Sequence, residues 1–251
     1  MSGNPKVRFI SADLSVVSNV HRLADEVLRH FPTVHCLVHS AGVVCGRREL
    51  TAEGVEMNFA INYLARFALT QLLLPALLTG GRLGQASRIL LVSGAARNGK
   101  IYLDDVNLTR NFTTLRAVWQ FCEANDRFMM ELSRRLERNG SKGKVTVVCL
   151  KYGVIKTNIR RDFPRWMKWV VPNVIDPLLG QTPVQAAEPA LRLLLTPEFE
   201  GTTGSLFTMI RRFRPLSYSS ADPELGTRLW EVSERLCSVN VPLGSASKVH
   251  V

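Results

Sequence analysis

The sequence predicts an α/β fold, a Rossmann-like doubly wound parallel sheet, on three observations. Short apolar runs alternate with amphipathic stretches along the chain, which is the rhythm of β-α-β units. At 251 residues and 46% hydrophobic, the chain can bury a full core. It carries no internal repeat, low-complexity tract or long linker, so a single domain over 1–241 is expected. The small, polar stretch 242–251 then reads as a frayed tail.

The elements follow in order. Val7–Ile10 reads as a strand, and Val16–His30 as a helix because Val17, Val20, Leu23, Val27 and Leu28 recur on one side. Val34–Val38 is a second strand. Thr51–Leu78 is a long helical region, with Thr51-Ala-Glu-Gly54 as its start signal. Ile89–Ser93 is a short continuous apolar run and reads as a buried strand. Thr114–Asn139 is a helix that Gly140 ends. Val145–Leu150 is another strand, Val184–Leu195 a helix, Ser205–Ile210 extended and Pro223–Ser238 a last helix.

Composition narrows the function. No run of about eighteen apolar residues occurs, so no membrane-spanning helix is expected. The start lacks the apolar core of a signal peptide. Cysteines 36, 45, 122, 149 and 237 are scattered, odd in number and without a C-x-x-C pair. That pattern fits reduced thiols in a cytoplasmic protein and gives no metal site. The net charge of +11 is spread over short groups such as Arg134-Arg135, Arg160-Arg161 and Arg211-Arg212. No nucleic-acid module accompanies them, so solvated faces are expected and nucleic acid is not. Phe163–Leu179 stands apart, with Trp166, Met167, Trp169 and Val170 amid Arg165 and Lys168. It reads as a lid over an apolar pocket or as core packing, with peripheral contact to a membrane surface as the alternative.

Several ordered motifs carry a resemblance. Phe9-Ile-Ser-Ala-Asp13-Leu14 is followed by Leu37-Val-His39-Ser40-Ala41-Gly42, Asn58-Phe-Ala-Ile-Asn62 and Leu72-Leu-Leu-Pro75. Then come Ser87-Arg-Ile-Leu-Leu-Val-Ser93-Gly94, the helix Ala117-Val-Trp-Gln-Phe-Cys-Glu-Ala-Asn125, Leu150-Lys-Tyr152-Gly153 with Thr157, and Glu200-Gly201 through Phe207. The series resembles the short-chain dehydrogenase/reductases, and most closely their retinol-dehydrogenase-like branch. That resemblance implies a dinucleotide-binding fold and NAD(P)-dependent oxidation of alcohols or reduction of ketones. It also implies a catalytic tetrad at Asn62, Gly94, Val118 and Cys122, where family members carry asparagine, serine, tyrosine and lysine. Asp13, Ala41, Gly42 and Thr157 match positions that touch the cofactor.

Three of those four tetrad residues are changed. Valine has no titratable group, and a thiol supplies no permanent positive charge to lower a tyrosine's pKa. Two substitutes are at hand: Ser93, if the register shifts by one residue, and the phenol of Tyr152, with Lys151 or Lys156 nearby. Cys122 as a nucleophile would need an activating base, and His39 is the one histidine suited to it. The family's opening T-G-x-x-x-G-x-G turn, which brings backbone N–H groups to a pyrophosphate, occurs nowhere in these 251 residues. The sheet is therefore expected to lack the family's first β-α-β unit, with Val7–Ile10 sliding in beside Val34–Val38.

The resulting expectation is a family member without classical oxidoreductase activity, serving a regulatory or interaction role and needing no cofactor. Its partner would be an apolar small molecule, a protein or a second copy. A non-redox cyclase or isomerase reusing the pocket is the alternative. A divergent NAD(P)-dependent oxidoreductase, with the cofactor site surviving in altered form, is the second.

Overall fold

A computed structural model describes residues 4–156, 169, 173, 180–210, 212–217 and 222–238. The expected tail 242–251, Thr157, and all of 163–179 except Trp169 and Asn173 lie outside the described residues.

A five-stranded sheet forms the centre, with spatial order β1 (Cys36–His39), β2 (Ser87–Gly94), β3 (Val145–Tyr152), β6 (Ser205–Met209), β7 (Phe213–Leu216). The first four strands run parallel and β7 closes the far edge antiparallel. Two short strands, β4 (Val154–Ile155) and β5 (Gly180–Gln181), pair by themselves. The helices are α1 (Val17–His30), α2 (Met57–Gly80), α3 (Thr114–Arg138), α4 (Pro183–Leu195) and α5 (Pro223–Cys237).

Strand periodicity sorts the two faces. Ile89, Leu91, Val147 and Cys149 pack with α2 and α3, while Leu90, Val148, Leu150 and Tyr152 pack with α4. Helices thus cover both faces, as the doubly wound prediction requires. An aromatic cluster of Tyr63, Phe67, Phe128 and Trp230 joins α2, α3 and α5, and the Tyr63 hydroxyl is 2.7 Å from Ser233 Oγ. Such pairs add about 0.5–1.5 kcal/mol each beyond their buried area. By length and composition α2 could cross a membrane, but 72% of its apolar window is buried inside this fold.

The long helix predicted over 51–78 starts later, at Met57. Thr51–Gly54 is instead a turn, with Gly54 at φ 78, and the Glu56 carboxylate caps the helix by accepting from the Asn58 and Phe59 backbone N–H groups. The helix α3 keeps its expected start at Thr114 and ends at Arg138, with Gly140 at φ 68 beyond it.

The predicted strand at 7–10 is corrected: those residues form no strand and do not pair with β1. Val7 is 64% exposed and Phe9 88%. Ordering each backbone residue costs about 1–2 kcal/mol, and here no buried side chain offsets it. Meanwhile α1 packs on α2, and its first turn is pinned where Glu53 accepts from Val17 N at 2.6 Å and Ser18 N at 3.2 Å. Among the described residues β1 therefore pairs only with β2, and its outer backbone edge is open.

Candidate functional site

The segment of α2 that carries Asn62 is a π turn over Ala60–Leu64, one residue wider than an α turn. The extra width frees the Asn58 carbonyl, which accepts from Asn62 Nδ2 at 2.8 Å. The same amide donates to Val43 O at 2.9 Å and accepts from Val43 N at 3.0 Å. A Cβ at residue 42 would stand 2.7 Å from Asn62 Oδ1, so Gly42 is required for this clasp. The Asn62 carbonyl in turn accepts from Asn125 Nδ2 at 2.9 Å, tying α2 to α3. Deeper in, Arg66 donates to Ala41 O and to Val92 O, each at 2.7 Å. That guanidinium joins the carboxyl ends of β1 and β2, and burial lowers its pKa to about 10. These bonds fix the π turn of α2 against the ends of β1 and β2 and against α3.

The reacting positions differ. Gly94 ends β2, and a Cβ there would lie 3.2 Å from Cys122 Sγ. Cys122 is fully buried on α3, and burial raises its thiol pKa even though the Lys151 ammonium lies nearby. Val118, one turn earlier, packs against the main core. Glycine and valine carry no titratable group, and burial holds the Cys122 proton more tightly than in a free thiol.

A buried ion pair, missed in the sequence, stands beside them. Lys151 on β3 donates to Ala96 O at 2.7 Å and places Nζ 2.7 Å from Asp126 Oδ2 on α3, both side chains fully buried. Burial lifts the Asp126 pKa to about 6 against the pull of Lys151. Burial disfavours the Lys151 ammonium, but Asp126 and its other buried neighbours outweigh that and raise its pKa. The signal lay in plain view: a lysine in the strand run Val145–Tyr152, at the same parity as Val147 and Cys149, which face α3. Asp126 stands one turn beyond Cys122, on the same helix face.

The sequence-derived substitutes fall in different places. Ser93 pairs in register with Lys151, and its buried hydroxyl lies beside the Cys122 thiol. Tyr152 faces the opposite layer, where its hydroxyl donates to Ala186 O of α4 and burial pushes its pKa up to about 12. It therefore does not reach Cys122. The backbone N–H of Lys156 donates to Gln181 O.

His39 is not the activator of Cys122. Its Nε2 is 2.8 Å from Thr70 Oγ1, and burial, with Arg66 nearby, depresses its pKa to about 3. Because the folded pKa lies below the ordinary 6.5, His39 stabilises the fold fully above pH 6.5, and that contribution is lost as pH falls toward 3. The loss should reach roughly 2 kcal/mol near pH 5, at about 1.4 kcal/mol per pH unit. Urea unfolding of wild type and His39→Asn near pH 7.5 and pH 5 checks this. The stability difference between the two proteins should shift by that amount toward the variant; an unchanged difference would refute the assignment.

The described cofactor-matching residues are engaged within the fold. The Ala41 carbonyl is taken by Arg66, and Gly42 is closed by Asn62. Asp13 accepts from Ser15 N at 2.9 Å, and the hydrogen bonds from Ser15 hold its carboxyl below the usual range. It borders a surface cleft of about 310 Å³ beside Arg22 and Glu26. Thr157 lies outside the described residues. Among them, no cluster of His, Cys, Asp or Glu could hold a metal ion.

The short chain dehydrogenase family profile matches residues 2–102. Retinol dehydrogenase 13 of Mus musculus is 32% identical over 252 residues, covering 98% of this chain and 73% of the relative. Retinol dehydrogenase 14 of Homo sapiens is 30% identical, covering 88% of this chain and 64% of the relative. Human polyprenol dehydrogenase is 27% identical over 94% of this chain and 71% of its own. Among solved structures, a putative uncharacterized protein from Mycobacterium Paratuberculosis superposes with a TM-score of 0.69 at 26% identity, over 92% of this chain and 75% of that one. The 3-alpha-hydroxysteroid dehydrogenase from Pseudomonas sp. B-0831, complexed with NADH, gives 0.62 at 21% identity, over 80% of this chain and 81% of that one, a likeness of fold.

Proposed function

We propose that this chain, which belongs to the short-chain dehydrogenase family on its retinol-dehydrogenase-like branch, has kept the family scaffold and uses it for binding rather than for hydride transfer. One observation carries the reading: Gly94, Val118 and Cys122 stand where the relay needs a hydroxyl, a phenol and an ammonium, and the nearby ammonium of Lys151 is locked to Asp126. General acid/base catalysis needs a group that exchanges a proton at working pH within reach of the substrate. The framework residues Asn62, Arg66 and Asn125 supply positioning without that group.

A cyclase or isomerase would also need an acid or base, and the residue best suited to it, Tyr152, is committed to Ala186 on the other layer. The relatives' names point to apolar substrates, retinol and polyprenol. An apolar small molecule is accordingly the ligand class that fits a retained family scaffold. The open edge of β1, where Cys36 and Val38 are exposed, supports a protein partner or a second copy as well.

The test is titration of the purified protein with NADH and NADPH, followed by calorimetry and by thermal melting. A ligand at a hundredfold excess over its Kd stabilises a fold by about 2.7 kcal/mol. No saturable binding and no shift in melting temperature are expected. A clear melting shift at micromolar NADPH would overturn the reading.

A further inference from the structure

A second cleft, of about 460 Å³, opens between the loop around residues 98–111, the start of α3 and the start of α5. Its lining is unusual in charge. Lys100 Nζ and Arg116 Cζ both lie 5.2 Å from the centre of the Tyr102 ring, so one aromatic face system gathers two cations. The ring quadrupole attracts each of them, while the two repel one another. Arg110 and Arg228 add two more cations to the same lining. Among the described residues, none of the four makes a salt bridge to a carboxylate, although the Arg110 charge is felt by Asp105. Of the two acids present, Asp105 is occupied: it accepts from Thr109 N at 2.8 Å, Thr109 Oγ1 at 2.7 Å and Arg110 N at 3.2 Å. Asp104 and the ionised Asp105 thus face four cations, and the lining keeps a surplus of positive charge.

The loop that presents these charges is held in place. Gln120, fully buried on α3, accepts from Tyr102 N at 3.0 Å and donates to Val106 O at 2.9 Å. Leu108 sits at φ 49, a left-handed conformation that a leucine adopts only under constraint, and it is buried in the floor of the cleft. Arg116 is fixed by donating to Asn111 O at 2.7 Å. A backbone held against its own preference, presenting more cations than carboxylates, is preorganised for an anion.

We propose that this cleft binds a phosphate group, with Arg116 and Arg228 as its principal ligands and Lys100 and Arg110 closing around it. The planar guanidinium fork matches two phosphate oxygens at once, which a diffuse basic surface does not. The phosphate could belong to a soluble phosphorylated small molecule or to a lipid headgroup, and the test separates the two. The site is independent of the catalytic positions, so it stands or falls apart from the reading above.

The experiment measures binding of inorganic pyrophosphate by calorimetry, and of vesicles of phosphatidylcholine with and without phosphatidic acid by sedimentation. Saturable pyrophosphate binding is expected, weakened about tenfold or more by Arg116→Gln with Arg228→Gln, each contact being charge-assisted. Lys142→Gln, which removes one positive charge from a distant surface, should leave it unchanged. Binding to phosphatidic acid vesicles but not to pyrophosphate, lost in the same double variant, assigns the phosphate to a lipid headgroup. The proposal is overturned if neither probe binds, or if binding is the same in the double variant. Both variants are at exposed or half-buried positions, and thermal melting confirms that they fold.

Discussion

Replacing Lys151 with methionine is expected to destabilise the protein by about 3–5 kcal/mol, the largest single loss in the molecule, because it leaves the Asp126 carboxylate buried and unpaired. The ammonium also holds the Ala96 carbonyl, so the loop after β2 loses its tether. A pH signature identifies the cause. Asp126 already has its folded pKa raised to about 6, above its ordinary 3.8. An acid raised in this way contributes stability that is present below its unfolded pKa and lost as pH rises through the folded one. Without Lys151 the folded pKa climbs further, so the variant should recover stability as pH falls toward 4. Adding Asp126→Leu should restore most of the loss at neutral pH, since an apolar pair in place of a buried ion pair is often neutral or better. Urea unfolding of the two single variants and the double variant measures the coupling. A Lys151→Met variant within about 1 kcal/mol of wild type would show that the pair is not the anchor described.

Putting the family's lysine back at position 122 is expected to be harmful by a similar amount. Cys122 is fully buried, and an added ammonium there would face Lys151 across the same space with only Asp126 to share. Gly94→Ser would crowd the same point, since its Cβ already falls 3.2 Å from the thiol. Moving the charge instead of adding one should be tolerated: Cys122→Lys with Lys151→Met returns a single ammonium to α3, one turn from Asp126. Thermal melting should rank this double variant well above Cys122→Lys alone. If Cys122→Lys alone melts like wild type, the cluster has room for a second charge and the relation between positions 122 and 151 is wrong. Completing the tetrad on that background with Val118→Tyr and Gly94→Ser should still yield no reductase, because proton-transfer groups are idle without a hydride donor held in place.

Much of this was legible in the chain. The helix at 114–138 follows from its apolar face and Gly140, and the buried strands from apolar runs too short for helices. The match of Gly94, Val118 and Cys122 to the family's tetrad rests on the resemblance, and the structure brings Cys122 against Gly94. What was not legible depends on partners rather than on local pattern. Val7 and Phe9 alternate like a strand, but a strand exists only if a neighbour takes its backbone groups, and none does. The last strand, Phe213–Leu216, contains Pro215, which argues against a strand from sequence and is tolerated because β7 is an edge. The phenol of Tyr152 seemed available near Cys122 until strand parity sent it to the other face, while the same parity sent Lys151 inward.

The most direct test of a scaffold retained without its chemistry is turnover itself. The purified protein is incubated with all-trans-retinal and NADPH, and retinol formation is followed chromatographically. A rate equal to that without protein, unchanged by Ser93→Ala, is expected. Multiple turnovers that Ser93→Ala abolishes would contradict it, and would make the Ser93 hydroxyl, beside Cys122, the working group of a rebuilt relay.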